Sequence, residues 1–127
     1  MSQELLSVRA IFAARLKQAR QLRGLSQRAL GDRMGLGKEK GSSRINRYER
    51  QVTAVGFDNL DKLAEILGVP PAYLLASTPE MADAILEIGA LSPDQQSQLA
   101  KCLHKVSEGV EPNIALAQWV SSLGHEK

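Results

Sequence analysis

The sequence predicts an all-α protein: a five-helix N-terminal domain followed by a small helical C-terminal extension. Apolar residues recur at three- and four-residue intervals along almost the whole chain, as on helix faces. Ser, Pro and Gly stand where such stretches begin and end. No segment alternates Val, Ile and Thr with polar residues as a half-buried strand would.

The elements follow in order. Helix one is expected from Ser7 to Arg23, with Val8, Phe12, Leu16 and Ala19 on one face and Leu22 beside it. Gly24 stops it, as glycine does past a helix end. Ser26 caps helix two, Gln27 to about Met34, by offering its hydroxyl to a free backbone N–H. Gly37-Lys38-Glu39-Lys40-Gly41 is polar and fenced by glycines, so it is expected as loop. Helix three then runs from about Ser42 to Arg50 on the inward residues Ile45 and Tyr48. Helix four, Phe57 to Leu67, buries Leu60, Leu63, Ala64 and Leu67 and ends at Gly68. Pro70 and Pro71 open a short fifth helix with Tyr73, Leu74 and Leu75, since proline suits a first turn.

Ser77-Thr78-Pro79 marks the expected boundary, giving domains 1–77 and 78–127. The extension reads as three helices: Glu80 to Ile88, ended by Gly89; a second opened by the capping-box variant Ser92-Pro93-Asp94-Gln95 and running to Ser107; and Asn113 to Leu123. Gly124–Lys127 is expected to fray.

Size and composition narrow the classes. The 127 residues suffice for one ordinary domain, or a small one with an appendage. There is no run of eighteen apolar residues, so no transmembrane helix is expected. The N-terminus lacks a basic segment followed by an apolar one; no signal peptide and a cytoplasmic location are expected. The single cysteine, Cys102, can form no internal disulfide, and one Cys with two His is too few for a zinc finger. The net charge of +2 hides an asymmetry: residues 1–50 hold 12 Lys/Arg and 4 Asp/Glu, residues 51–127 hold 4 and 10. A basic half suits a polyanion. Sparse aromatics argue against single-strand stacking.

Gly24-Leu25-Ser26-Gln27, Met34-Gly35-Leu36, the segment Arg44 to Arg50 and Leu63-Ala64-Glu65-Ile66-Leu67-Gly68-Val69 together make a helix-turn-helix. The stretch of about residues 8–76 resembles the DNA-binding domain of the phage repressor/Cro family, the XRE-like regulators. Leu16, Arg20, Gly24 to Gln27, Leu30, Gly35, Ile45, Glu49, Leu63, Ala64 and Leu67 to Val69 carry the match. The resemblance implies a sequence-specific, double-stranded-DNA-binding transcriptional regulator with helix three in the major groove.

In that arrangement helix two crosses the phosphate backbone. Gln27 and Arg28 at its N-terminus, together with Arg50, are expected phosphate contacts, since free N–H groups and the dipole favour an anion there. The family's base-reading positions map onto Ser42, Ser43 and Arg47; Arg44 and Asn46 either join them or face phosphates. Arginine forks onto guanine, asparagine pairs with adenine, and serine is permissive. The resemblance also implies an ion pair between Arg20 and Glu49 that is structural rather than DNA-reading.

The chain departs from the family pattern twice. From Leu36 to Ile45 it is four residues longer, so either a loop bulges or helix three is re-aimed; Lys38 and Lys40 there are phosphate contacts or a solvated loop. Gln51 replaces a frequent glycine, and a left-handed backbone would strain it, so helix three is expected to run on.

The tail offers apolar stripes, Met81, Ile85 and Ile88, then Leu99, Leu103 and Val106, with Trp119 on the last helix. It is the expected homodimer contact for a repressor reading a two-fold operator. The alternative is a protein-interaction or antitoxin-like module. No Gly-rich phosphate loop, metal-ligand set or Ser/His/Asp arrangement points to an enzyme, cofactor or metal, and the sequence names no small-molecule effector.

Overall fold

The computed structural model describes residues 7–123; the N-terminal reading of residues 1–6 and the expected frayed end 124–127 lie outside the described residues. The described residues are helical throughout, with no strand: α1 (Val8–Leu22), α2 (Gln27–Arg33), α3 (Lys38–Glu49), α4 (Phe57–Leu67), a 3-10 turn (Pro71–Leu75), α5 (Pro79–Gly89), α6 (Pro93–Ser107) and α7 (Pro112–Leu123). They form two compact units that divide after Gly89.

In the first unit the caps sit where polar side chains can meet free N–H groups. Ser7 Oγ accepts from Ala10 N at 3.1 Å and Ser26 Oγ from Ala29 N at 3.0 Å. Phe12, Leu16 and Ala19 of α1 meet Leu30, Ile45, Tyr48, Leu63, Leu67 and Tyr73 in one core. Phe12 and Tyr48 pack edge to face, with ring centroids 5.7 Å apart. Tyr48 Oη accepts from Asn59 Nδ2 at 3.2 Å, which ties α3 to α4. Arg23 spans from α1 to the end of α4, donating to Leu67 O at 2.7 Å and Gly68 O at 2.9 Å, carbonyls the helix leaves without partners.

Two expectations about α3 are corrected. Residues 38–41 are not loop: they are its first turn, entered from Gly37 at φ 82°. Four residues make about one turn, so the extra length lengthens the helix rather than bulging. Gly41 is there for contact, not as a stop. A Cβ on Gly31 would lie 2.2 Å from the Gly41 carbonyl carbon, and one on Gly41 would lie 2.4 Å from that of Gly31. The two helices therefore cross backbone against backbone. At the other end α3 does not run on: it stops at Glu49, and Gln51 takes the left-handed conformation at φ 65°. Val52 N donates to Arg47 O at 2.9 Å and Gln51 N to Tyr48 O at 3.1 Å, so these two end carbonyls are satisfied despite the strain.

The boundary expected at residue 77 falls one helix later. Thr78 is not linker: its Oγ1 accepts from Met81 N at 3.1 Å and so caps α5. α5 turns Ala82, Ile85 and Leu86 to the core, while Met81 is 52% exposed, so the expected Met81–Ile85–Ile88 stripe is not its inner face. Gly89 lies against Pro70, where a Cβ would sit 2.8 Å from Cγ. A polar chain adds to the seam: Gln18 donates to Asp83 at 3.1 Å and accepts from Arg15 at 2.6 Å.

The second unit is a helical hairpin. Ser92 and Gln95 form the reciprocal capping box at 3.1 and 3.0 Å. α6 and α7 meet through buried Cys102 and Ala115, with half-buried Leu99, Val106 and Trp119 beside them; Leu103, expected on this stripe, is 54% exposed. Trp119 Nε1 donates to Gln98 Oε1 at 3.1 Å and Lys105 Nζ to Gln118 Oε1 at 3.0 Å.

Candidate nucleic-acid interface

The last turn of α1 decides how α3 is held. Arg20 lies one helical turn past Leu16, and its Nη1 donates to Leu25 O at 2.9 Å. Its Nε and Nη2 grip Glu49 at 2.7 and 2.9 Å, a two-pronged geometry that only guanidinium supplies. The two side chains are 14% and 7% exposed. The hydrogen bond to Glu49 outweighs burial and holds the Arg20 guanidinium more firmly protonated than usual. Glu49 also accepts from Gln27 Nε2 at 3.2 Å, and Gln27 Oε1 accepts from Asn46 Nδ2 at 3.4 Å. A polar chain thus runs from α1 through the end of α3 to the start of α2.

With Ile45, Tyr48 and Gly41 buried, the 100° step per residue turns Glu39, Ser43, Arg47 and Arg50 to the opposite side of α3. All four are exposed. Arg47 Nη2 lies 3.4 Å from Ser43 Oγ, so the guanidinium folds back along this face. Arg44 sits on the flank toward α4, where it borders a shallow depression with Arg47, Thr53, Gly56 and Asn59. Ser42 and Asn46 are half-buried and line a groove on the other flank with Gln27, Arg28, Glu39 and Ser43.

The expected base-contacting residues therefore differ in freedom. Ser43, Arg44 and Arg47 are open, whereas Asn46 is partly engaged by Gln27. Of the expected phosphate contacts, Arg28, Lys38, Lys40 and Arg50 are exposed. Gln27 is half-buried and hydrogen-bonded on both sides of its amide, a positioning duty its sequence position did not announce. Lys38 and Lys40 sit on a helical turn rather than a loop. Sequence reasoning passed over Glu39. Its place four residues before Ser43 would have exposed it once the extra residues were read as a turn. Among the described residues no cluster of His, Cys, Asp or Glu could hold a metal ion, and no helix is long and apolar enough to cross a membrane.

A family model described as a helix-turn-helix matches residues 16–74. Among solved structures the transcriptional regulator BswR is similar, with 34% sequence identity over 73% of this chain and 92% of that one and a TM-score of 0.64. The chain belongs to the XRE-type helix-turn-helix family. No curated protein sequence matches it. In this helix-turn-helix protein α2 and α3 are the motif pair, and the matched stretch ends within the 3-10 turn. The extra turn of α3 lies inside that stretch, while α5, α6 and α7 lie beyond it.

Proposed function

We propose that the protein is a transcriptional regulator that binds double-stranded DNA in a sequence-specific way, laying α3 in the major groove. The outward face of α3 supports this most directly. Ser43, Arg44 and Arg47 stand exposed on a helix whose other side is bolted to α1 and α2. Basic and hydroxyl groups on such a face match the donor and acceptor pattern of base edges. Arg28, Lys38, Lys40 and Arg50 surround it with positive charge for phosphates. BswR is named a transcriptional regulator, which favours the same reading. The proposed role needs no cofactor and no chemical step, so an enzymatic activity is not part of it.

The protein acts as a homodimer in this proposal, most simply a repressor on a two-fold site. The hairpin supplies the surface. Because α6 and α7 are antiparallel, Leu103 of α6 and Leu116, Val120 and Leu123 of α7 fall on the same side of it. All four are exposed, between 39% and 59%. Large exposed apolar residues gathered on one side of a hairpin suit an interface. A second hairpin would bury it as a four-helix bundle.

Binding to random duplexes pooled at low salt, followed by selection and sequencing, tests the whole reading. A two-fold consensus with half-site centres about 34 Å apart is expected, with affinity falling steeply as salt rises. Failure to bind any duplex at low salt overturns it. Light scattering of the free protein and of Val120→Asp tests the dimer; a monomer for the unsubstituted protein at tens of micromolar, with and without DNA, removes that part.

A further inference from the structure

The residues that lengthen α3 place a carboxylate among its cationic and hydroxyl groups. Glu39 is exposed and points the same way as Ser43 and Arg47. It lies four residues before Ser43 and seven before Asn46, so the three form one stripe along the helix. It borders the groove that also contains Gln27, Arg28, Ser42 and Ser43. Among the described residues it has no ion pair, although Lys38 and Lys40 flank it in the chain.

A carboxylate on this face has few welcome neighbours in DNA. Phosphates repel it, and the purine N7 and O6 and thymine O4 positions offer only acceptors. The cytosine N4 amine is the donor that a glutamate accepts from in the major groove. Adenine N6 is also a donor, but its adjacent N7 acceptor faces the carboxylate's second oxygen, whereas cytosine presents no such acceptor. We infer that Glu39 is a specificity-determining residue that selects a cytosine at the edge of the half-site read by the first turn of α3. This inference rests on the proposed DNA-binding reading. The added turn widens what α3 reads: along the axis Glu39 stands about 6 Å before Ser43 and about 12 Å before Arg47.

The test is in-vitro selection of duplexes by the full-length protein, Glu39→Gln and Glu39→Ala, followed by affinity titrations on the selected site and on its single-base variants. The unsubstituted protein should prefer cytosine at one outer position of each half-site by about tenfold over the other bases. Both variants should lose that preference while keeping the preferences at the remaining positions. Glu39→Gln should trade it for tolerance of adenine, since an amide pairs with adenine N6 and N7. Because Glu39 is exposed, circular dichroism should show both variants as helical as the unsubstituted protein. If both variants bind every duplex more tightly by one common factor, the carboxylate only repels phosphates and the inference is overturned. An unchanged consensus overturns it too. If the unsubstituted protein binds no duplex at low salt, it is the DNA-binding reading that fails first.

Discussion

Replacing Arg20 with alanine removes the two charge-assisted hydrogen bonds to Glu49, at 2.7 and 2.9 Å, and the one to Leu25 O. It leaves Glu49, 7% exposed at the side chain, with the Gln27 amide at 3.2 Å. Stranding one charge of a buried pair costs about 3–5 kcal/mol. The Arg20 side chain retains 14% exposure, so some water reaches the site and the lower end applies, about 3 kcal/mol. Glu49→Ala should cost less, about 2 kcal/mol, because the freed arginine can swing toward water. The double alanine variant should cost clearly less than the sum, with a coupling of about 2 kcal/mol. Arg20→Met with Glu49→Leu, which fills the same space without charge, should recover most of the loss. Urea unfolding of the unsubstituted protein and the four variants, followed by circular dichroism, measures this. Additive single losses, or an Arg20→Ala variant that keeps full stability but loses DNA affinity, would refute a structural bolt and make Arg20 a DNA contact.

Other expectations follow from the same structure. Gly41→Ala puts a methyl 2.4 Å from the Gly31 backbone, so α2 and α3 must separate; we expect a loss above about 3 kcal/mol in thermal unfolding, far more than the helix propensity alanine gains. Gln51→Gly relieves a left-handed residue at φ 65° and should stabilise by up to about 1 kcal/mol; a loss would mean that the Gln51 side chain holds the turn. Tyr73 is fully buried and its hydroxyl has no partner among the described residues, so Tyr73→Phe should be neutral or stabilising by about 1 kcal/mol. Burial, and then the Asp83 charge, push the Tyr73 phenol above its ordinary value. The folded state therefore holds that proton more tightly than the unfolded chain does. Stability present below the ordinary tyrosine range is lost as pH rises through the raised value, and urea midpoints compared at pH 9 and 11 should show a smaller drop for Tyr73→Phe. Arg47→Ala should relax one base preference at about 1–3 kcal/mol; equal weakening on every duplex would move Arg47 to the phosphate contacts.

The elements legible in the sequence were those with local signatures. Ser26, Ser92 and Gly68 fix helix ends through their own side chains or backbone, and the inward stripes of α1 and α4 repeat with helical period. The start of α3 was hidden because two glycines around a charged stretch look like loop from within the sequence. What makes that segment a helix is the partner backbone at Gly31, ten residues away along the chain and in contact in space. The placement of α5 was hidden for the same reason: Ser77-Thr78-Pro79 can be linker or cap, and the surface of Pro70 and α1 decides between them. The buried Arg15 gave no signal, since arginine on a helix usually stays in water. In the site, the positions of Ser43 and Arg47 followed from Ile45 and Glu49. The internal duty of Gln27 did not, because it depends on the carboxylate at the far end of another helix.

A helix of 12 residues is about 18 Å long, and the major groove is about 12 Å wide. A probe of that length cannot lie straight across the opening without overhanging a sugar–phosphate ridge. On the proposed reading it must tilt to follow the groove, and Lys38 and Lys40, on either side of Glu39 in its first turn, become a measure of that tilt. Probing which phosphates they shield would report the docking angle of this probe before any complex is seen.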